Sequence, residues 1–373
     1  MALYLGLISG TSMDAIDAAL VDIDGARCTL SHALSRPYAE PLRRQLFALI
    51  NEPERCRLDD VGRLDTEVGE AFATTALDLL HEAGVAAARV AAIGSHGQTL
   101  RHQPHGELPF TWQVGNPHLI AERTGITTIA DFRRRDVAAG GEGAPLMPAF
   151  HQALLASAQE NRAVINIGGI ANLTWLPRAG TVVGFDTGPG NCLMDAWATR
   201  HLGVAYDRDG SWAANGHSQA ELLARFLSEP YLVAEPPKST GRELFNMGWL
   251  EGHLGAFGKA SKPEDVQATL CELTARTIAE ACRGLGALQR VLLCGGGSHN
   301  LELRRRLAAH LPGCRVETTA ALGLDPDHVE ATGFAWLAYR ALAGLPGNLP
   351  AVTGAQRSVI LGAIHPGEAV TKS

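Results

Sequence analysis

Two rhythms of apolar and polar positions run along the chain. Leu3 to Asp24 reads as a strand, a small Gly/Ser/Thr turn, then an apolar run that ends in alternating Val21-Asp22-Ile23-Asp24. Ala163 to Leu176 follows the same plan, with a β-branched strand, a Gly-Gly turn and a second strand. Both predict β-hairpins whose turns are rich in backbone N–H groups, although their similarity is too weak to establish an internal repeat. Val90–Gly94 and Val291–Cys294 predict further short strands. The helical rhythm fits Leu64–Leu80, Leu146–Gln159, Cys192–Thr199 and Val329–Ala343. It also fits Val266–Leu285, where Leu270, Leu273, Thr277 and Ile278 form one stripe. Strands alternating with amphipathic helices place the chain in the α/β class.

Length changes the picture from one domain to two, because 373 residues exceed what a single core usually serves. The boundary is expected at the glycine-rich Gly140-Gly141-Glu142-Gly143-Ala144-Pro145, with the last helix returning the chain to the first domain, where Val359–Pro366 ends it. This gives residues 1–144 with 345–373 as one α/β domain and 145–344 as the other. A composition 46% hydrophobic and 19% charged excludes wholesale disorder. The net charge of -7 argues against a protein that coats nucleic acid or an anionic membrane. No apolar run reaches the ~18 residues of a membrane span, and the N-terminus lacks a secretory signal, so a cytoplasmic protein is expected. The seven cysteines are scattered without a C-x-x-C, which fits neither a disulfide framework nor a zinc ribbon. The fourteen histidines form no H-E-x-x-H motif.

The candidate chemistry lies in four glycine-bearing turns after predicted strands: Ser9–Ser12, Asn166–Gly169, Asp186–Asn191 and Gly295–Ser298. Glycine lets a backbone approach a ligand and aim successive N–H groups at one anion. One such loop is an ordinary turn, whereas four flanked by hydroxyl and amide donors suggest a split cradle for a polyphosphate. Neither the P-loop nor the dinucleotide fingerprint is present. Asp186, expected at a strand end on a loop, is either a base that takes a proton from an attacking hydroxyl or water, or an acid capping the helix that follows. Asp14 and Asp17 are candidates near a Mg²⁺ bridging phosphates, or strand-edge charges. His96, Gln98 and Thr99 follow a strand and suit a polar, hydroxylated ligand. Arg133-Arg134-Arg135 lies in a stretch read as a loop, with Gln113, Asp136 and Glu142 in similar segments. Glu330 begins a helix, either as a dipole partner or as an acid facing a ligand.

Taken together, several stretches resemble the anhydro-N-acetylmuramic acid kinase family: GLISGTSMDAIDAALVDID (6–24), IGSHGQTLRHQP (93–104), the run from Trp112 to His151, INIGGIANLT (165–174), GFDTGPGNCLMDAW (184–197), LLCGGGSHN (292–300) and EATGFAWLA (330–338). The resemblance implies a two-domain actin/hexokinase/heat-shock-70-like ATPase fold with an interdomain cleft closing over ATP and Mg²⁺. It implies ring opening of 1,6-anhydro-N-acetylmuramic acid with phosphorylation of O6, in recycling of the cell wall. The first phosphate hairpin would comprise Gly10, Thr11, Ser12, Met13, Asp14, Ala15, Ile16 and Asp17, and the second would include Asn166, Gly168 and Gly169. Gly295, Gly296, Gly297 and Asn300 would form the adenosine turn. Asp186 would activate a water, with Glu330 as a second acid. His96, Gln98, Thr99 and Arg133 would contact the sugar. Gly140, Gly141 and Gly143 would serve as hinge residues, Glu368–Ser373 as a disordered tail, and the enzyme would be a homodimer with no nucleic-acid or membrane partner.

Two other readings stay open at this point. A kinase of the same fold could act on an ordinary hexose hydroxyl, with Asp186 deprotonating the sugar itself. A nucleotide-binding regulator could have kept the clamp and lost the chemistry. An actin-like filament former has little support from the charge and the absence of a long exposed apolar segment.

Overall fold

The structure is a computed structural model that describes residues 2–10, 13–25, 27–236, 238–241 and 243–367. Thr11, Ser12 and the expected tail Glu368–Ser373 lie outside the described residues. The chain divides into two compact units, one formed by residues up to Leu154 together with those from His328 on, the other by Leu155–Asp327.

The first unit is built on the strands β1 (Ala2–Ile8), β2 (Ala15–Asp24), β3 (Arg27–Pro37), β4 (Val90–Ser95), β7 (Thr128–Ala130) and β13 (Ala363–His365), in the order β13-β7-β4-β1-β2-β3. A separate hairpin pairs β5 (Gln98–Gln103) with β6 (Phe110–Val114). In β1, Leu5 and Leu7 point to one face and share a core with Val68, Phe72, Ala76 and Leu79 of the helix Leu58–Ala83. That helix outruns the expected Leu64–Leu80 and stops at Gly84, whose φ of 65° ends it with a left-handed cap. On the opposite face, Gly6 leaves room for helix Val329–Leu342 to lie directly on the strand: a Cβ at Gly6 would stand 1.8 Å from the Ala331 carbonyl oxygen. Gly94 in β4 does the same, with 2.0 Å to the Phe334 carbonyl oxygen.

These contacts correct the expected boundaries. The sequence puts helices Met147–Leu155 and Val329–Leu342 in a domain spanning 145–344, but all but the last residue of the former, and the whole of the latter, belong to the first unit. The reason is packing: the first helix sets Phe150 against Trp336, ring centroids 5.9 Å apart, and Met147 against Gly333, while the second rides on Gly6 and Gly94.

The glycine-rich stretch is likewise a pinned loop inside the first unit rather than a boundary. Asp136, fully buried, accepts from the Gly143 N–H (2.8 Å), Asn348 Nδ2 (2.7 Å) and Thr353 Oγ1 (2.9 Å). It belongs to the helix Phe132–Ala138, so the triple arginine lies on a helix and not, as the sequence suggested, in a loop. Asp136→Ala would strand three donors, and we expect a loss of at least about 3 kcal/mol, read as a fall in melting temperature of roughly 6–12 °C by calorimetry.

The second unit carries β8 (Arg162–Ile167), β9 (Ile170–Leu176), β10 (Val183–Pro189), β11 (Arg290–Cys294) and β12 (Arg315–Thr318), in the order β10-β9-β8-β11-β12. Within each sheet the first three strands run antiparallel, and the first strand then pairs in parallel with the fourth of that series. The two units thus share one topology, which the weak likeness of the hairpins only hinted at. The helix Pro263–Gly284 buries Leu270, Leu273, Thr277 and Ile278 as its stripe predicts. The helices Ser211–Asn215, Ala220–Leu227 and Met247–Phe257 add to this core.

Candidate active site

The predicted site residues fall into one set in each unit. In the first unit, β1 ends at Ile8 and the turn closes through Met13 N–H to the Gly10 carbonyl, 3.2 Å. Met13 has a φ of 54°, a conformation that side chains rarely adopt. Arg43 steadies the turn, donating to the Met13 carbonyl (3.1 Å) and to Asp14 Oδ1 (2.8 Å). Met13 and Ile16 bury their side chains in the core, so only their backbone is left to meet a ligand. Ala15 and Asp17 are half-buried, and Ser35 Oγ donates to Asp17 Oδ1.

Beyond the end of β4, Gln98 reaches this turn, and His96 meets Arg133 of the helix Phe132–Ala138. Gln98 Nε2 donates to the Gly10 carbonyl at 3.4 Å, and Thr99 Oγ1 accepts from Gln113 Nε2 at 3.2 Å. His96 lies 2.9 Å from both the Gly97 carbonyl, at Nδ1, and Arg133 Nε, at Nε2. Because the guanidinium can only donate, Nε2 accepts and Nδ1 carries the proton. This fits a neutral imidazole: burial, then Arg133, push the pKa of His96 well below its usual value. Arg133 also donates to the Gly143 carbonyl at 2.9 Å. Burial lowers its pKa to about 10, against the pull of Glu330 and Asp136, so it stays charged at neutral pH. Glu330 stands in the first turn of Val329–Leu342 with an exposed side chain. Protein crowds it closely enough that desolvation still raises its pKa, opposed by Arg133 and reinforced by Asp17. A group reachable from solvent yet poorly solvated is suited to meeting a ligand.

In the second unit the glycine turns lock together. Asn191 N–H donates to the Gly168 carbonyl (2.8 Å), and Gly190 N–H to the Gly169 carbonyl (2.9 Å). A Cβ on Gly295, whose φ is 75°, would stand 2.3 Å from Asn166 Oδ1, and one on Gly297 would stand 2.3 Å from Ile167 Cγ2. Side chains at either position would break the assembly. Asn300 caps the helix Leu301–His310 through Leu303 N–H, 2.9 Å. Against these turns lies a cavity of about 610 Å³ lined by Asn191, Asp195, Gly296, Gly297, Asn300 and the loop from Tyr206 to Asp209.

Asp186 lies inside β10, where pairing with β9 shifts register between Asp186 and Gly188. The sequence placed it on a loop after the strand; the strand in fact continues to Pro189. Its carboxylate does not cap the following helix. Oδ2 accepts from Thr240 N–H (3.1 Å), its own N–H donates to the Lys238 carbonyl (3.2 Å), and Tyr231 OH donates to its carbonyl (2.8 Å). Lys238 is itself held by the Tyr231 and Leu232 carbonyls at 3.2 and 3.1 Å. Burial raises the pKa of Asp186 to about 6, with the Thr240 N–H opposing and Glu243 adding to the rise. Tyr231, Lys238 and Thr240 escaped the sequence reading; the only signal was the small polar run Lys238-Ser239-Thr240-Gly241.

Among the described residues no cluster of three or more His, Cys, Asp or Glu could cage a metal ion, and no helix is long and apolar enough to cross a membrane. Residues 2–367 match the model of the anhydro-N-acetylmuramic acid kinase family. A relative of that name from Xanthomonas campestris pv. campestris (strain 8004) is 56% identical over 98% of this chain and 97% of its own. Another, from Coxiella burnetii (strain Dugway 5J108-111), is 51% identical over 98% of each. Component A of the (R)-2-hydroxyglutaryl-CoA dehydratase of Acidaminococcus fermentans superposes with a TM-score of 0.50 at 15% identity, covering 92% of this chain and 100% of that one. At that identity the likeness speaks for the fold alone.

Proposed function

From the membership of this chain in the anhydro-N-acetylmuramic acid kinase family, we infer that it opens the 1,6-anhydro ring of anhydro-N-acetylmuramic acid with water and transfers the ATP γ-phosphoryl group to O6. The product is N-acetylmuramic acid 6-phosphate, and the role is recycling of cell-wall sugar. The observation that carries the chemistry is Asp186: a carboxylate oriented through Thr240, with a pKa near 6. Such a group is mostly ionised at neutral pH yet basic enough to take a proton from water. As water adds to C1, the C1–O6 bond breaks, and its electron pair leaves on O6. O6 then attacks the γ-phosphorus, and the bond from that phosphorus to the bridging oxygen breaks to release ADP. The water proton goes to Asp186 and then to solvent. The leaving oxygen is captured by phosphorus, so no separate acid is required to protonate it, unlike in a glycosidase.

In the first unit, Arg133, its plane fixed by His96 and the Gly143 carbonyl, would bind the lactyl carboxylate, with His96, Gln98 and Thr99 shaping the sugar site. In the second, the turns at Asn166–Gly169 and Gly295–Asn300 would hold the nucleotide. The carboxylates of Asp17 and Glu330 are hard oxygen donors suited to Mg²⁺, which is usually held by one or two carboxylates with phosphates and water. When bound, the ion offsets charge on the phosphoryl oxygens. Glu330 would assist the water or the ion. We place the reaction in the cytoplasm, where ATP is supplied, by a homodimer.

The test is ADP release from Mg²⁺ and ATP with several sugars. Release that depends on the anhydro amino sugar is expected. Equal release with glucose would favour an ordinary hexose kinase, and none with any sugar a nucleotide-binding regulator. The pH profile gives a second check. Asp186 works as the ionised base, so activity is expected to fall about tenfold per pH unit below a midpoint near 6. A profile flat from pH 7 to 5 would remove it from that role.

A further inference from the structure

The cavity beside the glycine turns contains three carboxylates, from Asp195, Asp207 and Asp209. Carboxylates repel phosphate, so phosphates belong to the glycine backbone, and the acids must face a part of the ligand that donates hydrogen bonds. Asp207 is committed to the fold: it is buried, and its two oxygens accept from Trp212 N–H and Ala213 N–H, each at 2.9 Å. Asp209 is exposed on the turn that presses against Asn300, where a Cβ on Gly210 would stand 2.1 Å from Asn300 Oδ1.

Asp195 stands differently. It lies four residues after Asn191 at the start of the helix Cys192–Leu202, with Asp195 N–H bonded to the Asn191 carbonyl at 2.8 Å. Residues so spaced share one helix face. Asn191 reaches the glycine floor, its Oδ1 lying 2.8 Å from where a Cβ of Gly297 would be. Asp195 therefore sits one helical turn, about 5 Å, along the same wall. Adjacent 2′ and 3′ hydroxyls of a ribose are donors that one carboxylate can accept together, and its roughly four lone-pair sites allow this beside any bond made within the protein.

We propose that Asp195 accepts the ribose hydroxyls of the bound nucleotide and so makes the protein select ribonucleotides over 2′-deoxyribonucleotides. This rests on reading the cavity as the nucleotide site, and the experiment separates the two. The full chain is titrated calorimetrically with Mg²⁺·ATP and with Mg²⁺·2′-deoxy-ATP. The wild type is expected to bind ATP about tenfold or more tightly than the deoxy form. Asp195→Ala is expected to bring the ratio within about threefold while Asp209→Asn keeps it. Equal binding of the two nucleotides by the wild type would overturn the proposal even if Asp195→Ala fails to fold, and would leave the nucleotide site standing. Loss of the ratio in Asp209→Asn but not in Asp195→Ala would move the role to Asp209 and overturn it too. Binding of neither nucleotide would overturn the reading of the cavity and the proposal with it.

Discussion

Asp186→Asn is expected to cut sugar-dependent ADP release by about 10²–10⁴-fold, the usual contribution of a positioned general base. ATP affinity should stay within a few-fold of wild type, because the carboxylate is assigned to water and not to nucleotide. Stability should move the other way. Burial raises the pKa of Asp186 to about 6, above the ordinary 3.8 of an aspartate, so the folded chain holds this proton more tightly than the unfolded one. The stability contributed by the protonated form is present below the unfolded value and lost as pH rises through the folded one. At pH 7 the ionised carboxylate therefore works against folding, and asparagine relieves it. A variant both inactive and at least as resistant to heat at pH 7 would fit this account. An inactive variant that melts far below wild type would mean that Asp186 is held for structure.

The second large effect is on folding. Gly6→Val would drive a branched side chain into the backbone of Val329–Leu342, where a Cβ alone would stand 1.8 Å from the Ala331 carbonyl oxygen and 2.7 Å from the Ala335 nitrogen. Neither atom can yield without lifting the helix off β1 and β4. We expect a loss of about 3 kcal/mol or more, the upper range of overpacking, seen as a large fall in the denaturant midpoint or as insoluble protein. The control is Gly62→Ala in the helix Leu58–Ala83, where nothing lies within 4 Å of the added carbon. There the lower entropy cost should raise stability by about 0.5–1 kcal/mol. If Gly6→Val melts with wild type, the close approach of helix and strand is wrong.

Elements with a local cause were legible in the sequence. The hairpins around Gly10 and Gly168 follow from apolar runs broken by small residues, and the Pro263–Gly284 helix from its stripe. β3 was missed because it shows a largely solvent-facing pattern, its stability coming from pairing with β2. The helix carrying Arg133 and Arg134 was hidden by its run of charge, and depends on Phe132 and Asp136 being buried. For the candidate site, Asp186 stands out in the sequence by its glycine-rich surroundings. The groups that set its pKa could not, since Thr240 is 54 positions away and meets it only through the fold. His96 and Arg133 lie 37 positions apart, and nothing in that spacing foretells their 2.9 Å contact.

Water opening the ring while O6 receives the phosphoryl group leaves a distinct isotope pattern. The reaction would be run with ATP, Mg²⁺ and the anhydro sugar in ¹⁸O-water and quenched early, with unlabelled product in the same water as the control for exchange at C1. One ¹⁸O at C1, none in the phosphate ester, and one ADP for each sugar opened are expected. A phosphorylated sugar that keeps its anhydro bridge, or ¹⁸O in phosphate with the sugar unchanged, would rule this course out.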